Sequence, residues 1–346
     1  MLCIAVAGAT GYAGGELLRI LAAHPEVEVV RLTSETYAGR NLADVLPAFR
    51  GVIDAELTAL DPESAGDGAD LVFTALPHKS AMNAVAKILA SGKKVVDFSA
   101  DFRLKDPAAY EKWYGTRHTE TALLQQAVYG LPELHREAIR EARLVANPGC
   151  YPTGAILALA PLLREGLIES GSLLVDAKSG ASGAGRRAEL DYSYCEINES
   201  VRAYSIGRHR HTPEIEQELS QAAGSTVTLS FTPHLIPMSR GILSTCYGRT
   251  KEGVAASDLR AAFEEAYRNE PFVRLLPEGE VPSTGQVWGS NFVDLGFVLE
   301  ERTGRVIVIT ALDNLSKGAA GAAVQNMNLM AGFPETMALS PSGIPV

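Results

Sequence analysis

The sequence predicts an α/β protein in two parts: a doubly wound parallel sheet, then an α+β region on a mainly antiparallel sheet. Three observations carry that expectation. The chain opens on an apolar strand, a glycine-rich turn and a helix start. Short buried strands then alternate with helical segments as far as residue 146. Beyond residue 150 the strands lengthen and few helices separate them. We expect domains at 1–149 and 150–314, with 315–346 a C-terminal helix and tail returning to the first.

Residues 3–7, Cys-Ile-Ala-Val-Ala, form the opening strand. Gly8-Ala-Thr-Gly11-Tyr-Ala-Gly14 follows, and a helical run spans 16–21. A strand, a glycine turn and a helix N-terminus in this order cradle a dinucleotide pyrophosphate. Gly8 permits the tight turn, Gly11 lets backbone approach the phosphates, and Gly14 allows close helix–strand packing. A glycine-rich turn without ligand is the competing reading. The next strand, 27–34, ends where an adenosine ribose would lie. Arg31, Ser34, Thr36 and Arg40 there suit a 2′-phosphate, whereas Glu35 suits the free hydroxyls of NAD.

Residues 69–76 and 93–99 read as buried strands with a helix over 80–90 between them, and 144–146 is a further short strand. Ligands of such sheets bind beyond the carboxyl ends of the strands. Pro77-His78 and Ser99-Ala-Asp-Phe-Arg103 follow two of those ends. Arg103 has the forked geometry to clamp a phosphate or carboxylate; a solvated Asp101–Arg103 ion pair is the alternative.

Asn147-Pro-Gly-Cys-Tyr-Pro-Thr153 then sets one cysteine at a turn, ahead of the apolar helical run 154–163. Unpaired N–H groups and the positive end of the helix dipole favour a thiolate at Cys150. The thiolate is the nucleophilic form, so the segment points to covalent chemistry at sulfur; a buried structural cysteine is the other reading. The strands that follow are 173–177, 226–233, 241–249, 291–299 and 305–312, with 300–305 a hairpin connection. The last helix, 318–330, is too rich in Ala and Gly for a solvated amphipathic helix. It is expected to pack closely against the first domain or near a cofactor.

Three polar segments lie in this second region. Arg208-His-Arg-His-Thr-Pro-Glu214 offers His209 and His211 as a base for Cys150, ahead of a helix begun by Pro213. A metal site at the two histidines and an exposed basic loop are the competing readings. The glycine-serine loop 178–187 suits an anion nest, or is a flexible surface loop. Asp313-Asn-Leu-Ser-Lys-Gly318 opens the last helix, and Asn314 either binds a carboxamide or caps the turn.

Composition narrows the function. With 46% hydrophobic and 21% charged residues, 346 residues make an ordinary globular chain with a sizeable core. A formal charge of −10 argues against a general nucleic-acid or anionic-membrane surface. Cys3, Cys150, Cys195 and Cys246 are widely spaced, which indicates neither a zinc ribbon nor a disulfide framework. No metal is expected. The apolar runs fall short of a membrane span, and the N-terminus carries no export signal, so a cytoplasmic protein is expected.

Over nearly the whole chain, eight segments in order resemble the N-acetyl-gamma-glutamyl-phosphate reductase family. Four of them are 8–14, Phe98-Ser-Ala-Asp-Phe-Arg-Leu104, Tyr129-Gly-Leu-Pro-Glu133 and 147–153. The others are Ser179-Gly-Ala-Ser-Gly-Ala-Gly-Arg186, His209-Arg-His-Thr-Pro-Glu214, Pro233-His-Leu-Ile-Pro-Met238 and Asp313-Asn-Leu-Ser-Lys-Gly-Ala-Ala-Gly321. The resemblance implies a Rossmann-like dinucleotide-binding domain and a catalytic, oligomerising domain shared with aspartate-semialdehyde and glyceraldehyde-3-phosphate dehydrogenases. It implies reduction of an acyl phosphate by NADP(H) with release of phosphate, in arginine biosynthesis, by a homodimer or homotetramer. Cys150 is then the nucleophile and His209 or His211 the acid–base group, His209 being preferred. Cofactor contacts fall to Gly8, Thr10, Gly11, Tyr12, Ala13, Gly14, Ser34, Arg40, Pro77 and Asn314. Substrate contacts fall to Ser99, Arg103, Asn147, Ser179, Ser182, Arg186 and Glu214. Three alternatives stand beside this: a reductase of aminoadipyl phosphate on an acidic carrier protein in lysine biosynthesis, an aspartate-semialdehyde dehydrogenase, and a non-catalytic dinucleotide sensor.

Overall fold

The computed structural model describes residues 1–186, 188–339 and 342–344. The chain divides into two compact units, Met1–Pro148 with Ala319–Leu339, and Gly149–Gly318 with residues 342–344.

The first unit begins β1 (Leu2–Ala7), α1 (Tyr12–Leu21), β2 (Val27–Thr33), α2 (Leu42–Val45) and β3 (Leu57–Thr58). It continues β4 (Leu71–Thr74), α3 (Ala81–Ala90), β5 (Lys94–Asp97), α4 (Pro107–Tyr114) and α5 (Thr121–Gln126), then β6 (Val128–Tyr129), α6 (Pro132–Glu141) and β7 (Leu144–Ala146). The sequence reading leaves α4, α5 and α6 unassigned. Local signals for α4 exist: Asp106 accepts the Ala108 N–H at 2.9 Å, Pro107 follows the cap, and Gly115 ends the helix at φ +64°.

The strands are ordered β3-β2-β1-β4-β5-β7-β6 and every pair is parallel. All four residues of β4 are buried, as a strand covered on both faces requires. One apolar cluster joins Val72, Val95 and Leu144 of the sheet to Val85 and Ile88 of α3, Tyr110 of α4 and Leu124 of α5. Because the strands are parallel, the residues after β1, β2, β4, β5 and β7 share one edge, and the strand order reverses at β1 and β4.

The second unit contains α7 (Cys150–Arg164), β8 (Leu173–Ser179), α8 (Tyr194–Ile197), β9 (Arg202–Ala203), α9 (Thr212–Ala223), β10 (Leu229–Leu235) and β11 (Ile242–Arg249). After these come α10 (Ala256–Tyr267), β12 (Val273–Leu275), α11 (Thr284–Val287), β13 (Val293–Glu300) and β14 (Arg305–Leu312). Its sheet runs β12-β13-β14-β11-β8-β10-β9. The pairs β13–β14, β14–β11, β11–β8 and β10–β9 are antiparallel, while β8–β10 and β12–β13 are parallel, so the sheet is mixed. The parallel β8–β10 pair is reached by a crossover that includes α9.

Burial alternates along β8, β11 and β14, the signature of a sheet with one face covered. The covering helix is α7, which packs on β11 and β14. Ile156, Leu157, Leu159 and Leu162 on it are fully buried, each worth roughly 1.5–3 kcal/mol of transfer free energy. Gly154 permits this approach, since a Cβ there would lie 2.9 Å from Thr310 Oγ1.

The chain ends its regular structure with α12 (Gly321–Ala331), a helix of the first unit running beside α1 and α6. Every residue from Gly321 to Met330 is buried. Its polar members find partners: Asn326 donates to the Gly130 carbonyl at 2.8 Å, and Asn328 pairs with His24 at 3.0 Å. No helix among the described residues is long and apolar enough to cross a membrane.

Candidate active site

In the first unit the glycine turn follows β1. Gly8 has φ +86°, and a Cβ there would sit 2.4 Å from the Ala75 carbonyl oxygen, so only glycine fits. A Cβ on Gly14 would meet the carbonyl oxygens of Gly8 and Ala9 at 2.7 Å, which is the close helix–strand packing expected of it. Gly11 is the N-cap of α1 and offers no side-chain cap, so the first-turn amides are left for an anion. Thr10 and Ser34 hydroxyls lie 2.9 Å apart and tie the turn to the end of β2. Tyr12 is 45% exposed, and Ala13 lies in the first turn of α1.

At the end of β2, Glu35 Oε1 accepts the Leu60 N–H at 2.8 Å. Arg40 is exposed, its guanidinium 5.8 Å from the Tyr37 ring centroid. Pro77 is exposed beyond β4. Ser99 is buried and donates to Asp97 Oδ2 at 2.6 Å; Asp97 also accepts from Thr74 at 2.6 Å. Burial pushes the Asp97 carboxyl up to about 6, against the pull of those hydrogen bonds. Asp101 caps α3 by accepting the Lys79 and Ala81 N–H groups, and it accepts the Tyr110 hydroxyl at 2.7 Å. Arg103 is buried and donates from Nη2 to the Phe98 carbonyl at 2.8 Å. Asn147 donates to the Ala319 carbonyl at 2.9 Å and accepts from Asn326 at 3.1 Å.

In the second unit α7 starts at Cys150, earlier than the apolar run alone suggests, because Gly149 is extended (φ −68°, ψ 150°) and serves as N-cap. Thr153 holds the turn, its N–H and its hydroxyl both donating to the Gly149 carbonyl, at 3.1 and 3.0 Å. Pro152 has no N–H, so the first-turn amides that helix bonding does not use are those of Cys150 and Tyr151. The Gly149 N–H itself donates to Glu214 Oε1 at 2.7 Å.

His209 and His211 stand against Tyr151, the residue next to Cys150, with ring centroids 5.7 and 5.9 Å from it. The His211 N–H donates to His209 Nδ1 at 3.1 Å, which leaves the proton of a neutral His209 on Nε2. Burial, then the neighbouring Arg210 charge, pushes His209 down to about 4. Tyr204 donates to the Tyr151 hydroxyl at 3.1 Å, and its ring lies 5.5 Å from His209. Both phenols are pushed up, chiefly by burial, with the Cys150 charge contributing to each.

Ser179 is buried at the end of β8 and donates to the Gly180 carbonyl at 3.0 Å. Asn314 donates to Ser182 Oγ at 2.9 Å and accepts the Gly241 N–H at 2.7 Å. Ser182 therefore keeps its hydroxyl proton for another acceptor. Arg186 is exposed; Arg187, the end of the glycine-serine loop, lies outside the described residues. Sequence reading passed over Tyr204, Arg240 and Lys317. Arg240 donates to buried Asp313 at 3.0 Å, and Lys317 is fully buried. An isolated charge inside an otherwise apolar or glycine-rich segment was the available signal for both. No group of His, Cys, Asp or Glu among the described residues forms a metal site.

Residues 3–142 match the family model described as semialdehyde dehydrogenase, NAD binding domain, and residues 150–314 match semialdehyde dehydrogenase, dimerisation domain. An N-acetyl-gamma-glutamyl-phosphate reductase of Geobacter sp. (strain M21) is 57% identical over 340 residues, 98% of each chain. The same-named protein of Moorella thermoacetica is 52% identical over 99% of each. The chain belongs to the N-acetyl-gamma-glutamyl-phosphate reductase family. The family's fold extends to aspartate semialdehyde dehydrogenase II of Vibrio cholerae, with a TM-score of 0.72 over 96% of this chain and 98% of that one, at 18% identity. Aspartate semialdehyde dehydrogenase of Candida albicans, solved with NADP, gives 0.69 at 17% identity over 96% and 98%. At those identities the likeness establishes the fold alone.

Proposed function

We propose that this reductase-family chain converts N-acetyl-L-glutamyl 5-phosphate to N-acetyl-L-glutamate 5-semialdehyde and phosphate, using NADPH, in arginine biosynthesis. The observation that carries the reading is Cys150 at the first position of α7, its neighbour Tyr151 packed against the His209–His211 pair, in a chain more than half identical to reductases of that name.

The Cys150 thiolate attacks the acyl carbonyl and the carbon–oxygen bond to phosphate breaks, leaving a thioester on Sγ. The amides of Cys150 and Tyr151, in the first turn of α7, are the donors assigned to the oxyanion of that step. NADPH, when bound, supplies the hydride that reduces the acyl carbon. Release of the aldehyde breaks the carbon–sulfur bond and returns the thiolate. Neutral His209, with its proton on Nε2, supplies a hydrogen bond to sulfur or to the oxyanion, and the histidine pair handles the proton.

The glycine turn fits a dinucleotide: Gly8 to Gly14, Thr10, Tyr12 and Ala13 would line its pyrophosphate. Ser34 and exposed Arg40 support the 2′-phosphate of NADP, and the Glu35 oxygen already held by Leu60 weakens the case for NAD. Arg103, Ser182 and Arg186 are the anion donors of this reading, as residues that carry N–H or O–H groups suited to phosphate or carboxylate. Arg103 also donates from one Nη to the Phe98 carbonyl, and Ser99, Asn147 and Glu214 meet protein partners. A biosynthetic reductase drawing on NADPH works in the cytoplasm. The open face of the second sheet is read as the contact with a second copy of the chain.

The test is the reverse reaction, with N-acetylglutamate semialdehyde, phosphate and NADP, beside the aspartate and aminoadipate semialdehydes and NAD. Dominant turnover of either other aldehyde would overturn the substrate, and equal rates with NAD would overturn the cofactor preference.

A further inference from the structure

Glu214 is 1% exposed, lies in the first turn of α9, and accepts the N–H of Gly149 at 2.7 Å. Gly149 is the N-cap of the helix that presents Cys150. In a capping box, the N-cap N–H is met by a Glu or Gln side chain three residues on. Here that position is Pro152, which has no acceptor, so an acceptor from another helix fills the role. The same helix start carries His211 as its N-cap, three residues before Glu214, with Pro213 fixing the turn between them. A buried N–H needs its acceptor, so Gly149 follows wherever Glu214 is held.

We infer that Glu214 is a positioning residue: it seats the Cys150 turn against the helix start that carries the histidine pair, and it acts as an acceptor rather than as a charge. The inference rests on Cys150 being the nucleophile. Direct contact with the substrate would set a carboxylate against an acyl phosphate, which like charges disfavour. Misplacing a nucleophile by about 1 Å costs on the order of 10²-fold in rate, so the effect belongs in kcat.

Two substitutions separate acceptor from charge. Glu214→Gln keeps an oxygen at the same reach and removes the charge. Glu214→Asp keeps the charge and withdraws the oxygen by one methylene. In the reductase assay Glu214→Asp should lower kcat at least ~30-fold and Glu214→Gln only a few-fold, with KM for the acyl phosphate moving less than about threefold in both. Alkylation of Cys150 by iodoacetamide, without substrate, should slow in the same order. Equal losses, the reverse ranking, or a loss confined to KM with wild-type alkylation would each overturn the inference. If Glu214→Asp does not fold, hydrogen exchange decides with wild type and Glu214→Gln: the Gly149 amide should be protected in both, and fast exchange in wild type overturns it. Cys150→Ser separates the two levels. Loss of labelling there identifies the labelled thiol, whereas retained turnover would remove the nucleophile reading and leave the Glu214–Gly149 geometry untouched.

Discussion

Gly318 passes so close to Cys150 that a methyl group on it would lie 2.9 Å from the Cys150 Cβ. The turn that brings it there is closed by Asp313, whose Oδ1 accepts the Leu315 and Ser316 N–H groups and the Arg240 guanidinium. The Gly318 N–H donates back to the Asp313 carbonyl at 2.9 Å. A Cβ at 318 would also meet Leu312 Cδ1 at 3.2 Å and the Asp313 carbonyl oxygen at 3.3 Å, so it would be crowded on more than one side.

Gly318→Ala should therefore act on the nucleophile through packing alone. Overpacking of this kind costs about 1–3 kcal/mol, read as a lowered midpoint in urea. Turnover and Cys150 alkylation should fall together. A variant of normal stability and normal alkylation rate would show that the backbone there gives way freely.

His209 should stay neutral across the working pH range. Its folded pKa is depressed, to about 4 from an ordinary 6.5, so the stability it contributes is complete above 6.5. That contribution is lost as pH falls through 6.5 toward 4, because only the unfolded chain then takes up the proton. Nitrogen-15 spectra should show Nδ1 unprotonated and Nε2 carrying the proton near pH 7. A His209 resonance titrating between pH 6 and 7 would contradict both the burial and the tautomer.

The two strongest chemical signals were legible because each is local. The Gly8–Gly14 turn and the Cys150 turn both need particular residue types at consecutive positions, and a sequence displays these directly. Their partners are not local. Ser34 meets Thr10 across 24 residues, Glu214 meets Gly149 across 65, and Asn314 meets Gly241 across 73. Such pairs are set by strand order and crossover, which no spacing rule encodes. The parallel β8–β10 pair was hidden for the same reason: strand pattern alone does not tell a hairpin return from a crossover through α9.

Asp97 predicts a pH effect opposite in sign to that of His209. Its folded pKa is raised to about 6 from 3.8 by complete burial, so its protonated form suits the folded state. The unit holding it loses stability as pH rises from 3.8 through about 6, by roughly 3 kcal/mol at full ionisation. Asp97→Asn should flatten that slope. Its one amide oxygen keeps an acceptor for one of the Thr74 and Ser99 hydroxyls, which donate to different oxygens of Asp97, and its NH2 faces the other. Hydrogen exchange in β4 and β5 at pH 4.5 and 7 measures it, and an unchanged difference between the two pH values would clear Asp97.

The uncovered face of the second sheet carries a continuous apolar row. Register places Leu174 of β8 opposite Tyr247 of β11, Tyr247 opposite Ile307 of β14, and Ile307 opposite Val298 of β13. Leu174 is 43% exposed and Val298 49%, although four neighbouring apolar side chains form the kind of patch that a partner usually covers. This region matches a family model described as a dimerisation domain, so the occupant to test is a second copy of the chain. Ile307→Asp places a charge in the middle of the row without touching the α7 face, where Val306 and Val308 are buried. Light scattering should find wild type as a dimer or tetramer at micromolar concentration and the variant at least ~100-fold weaker in self-association, the loss expected for burying an unpaired charge. A wild-type monomer, or a variant that assembles as before, would mean that this row faces something other than itself.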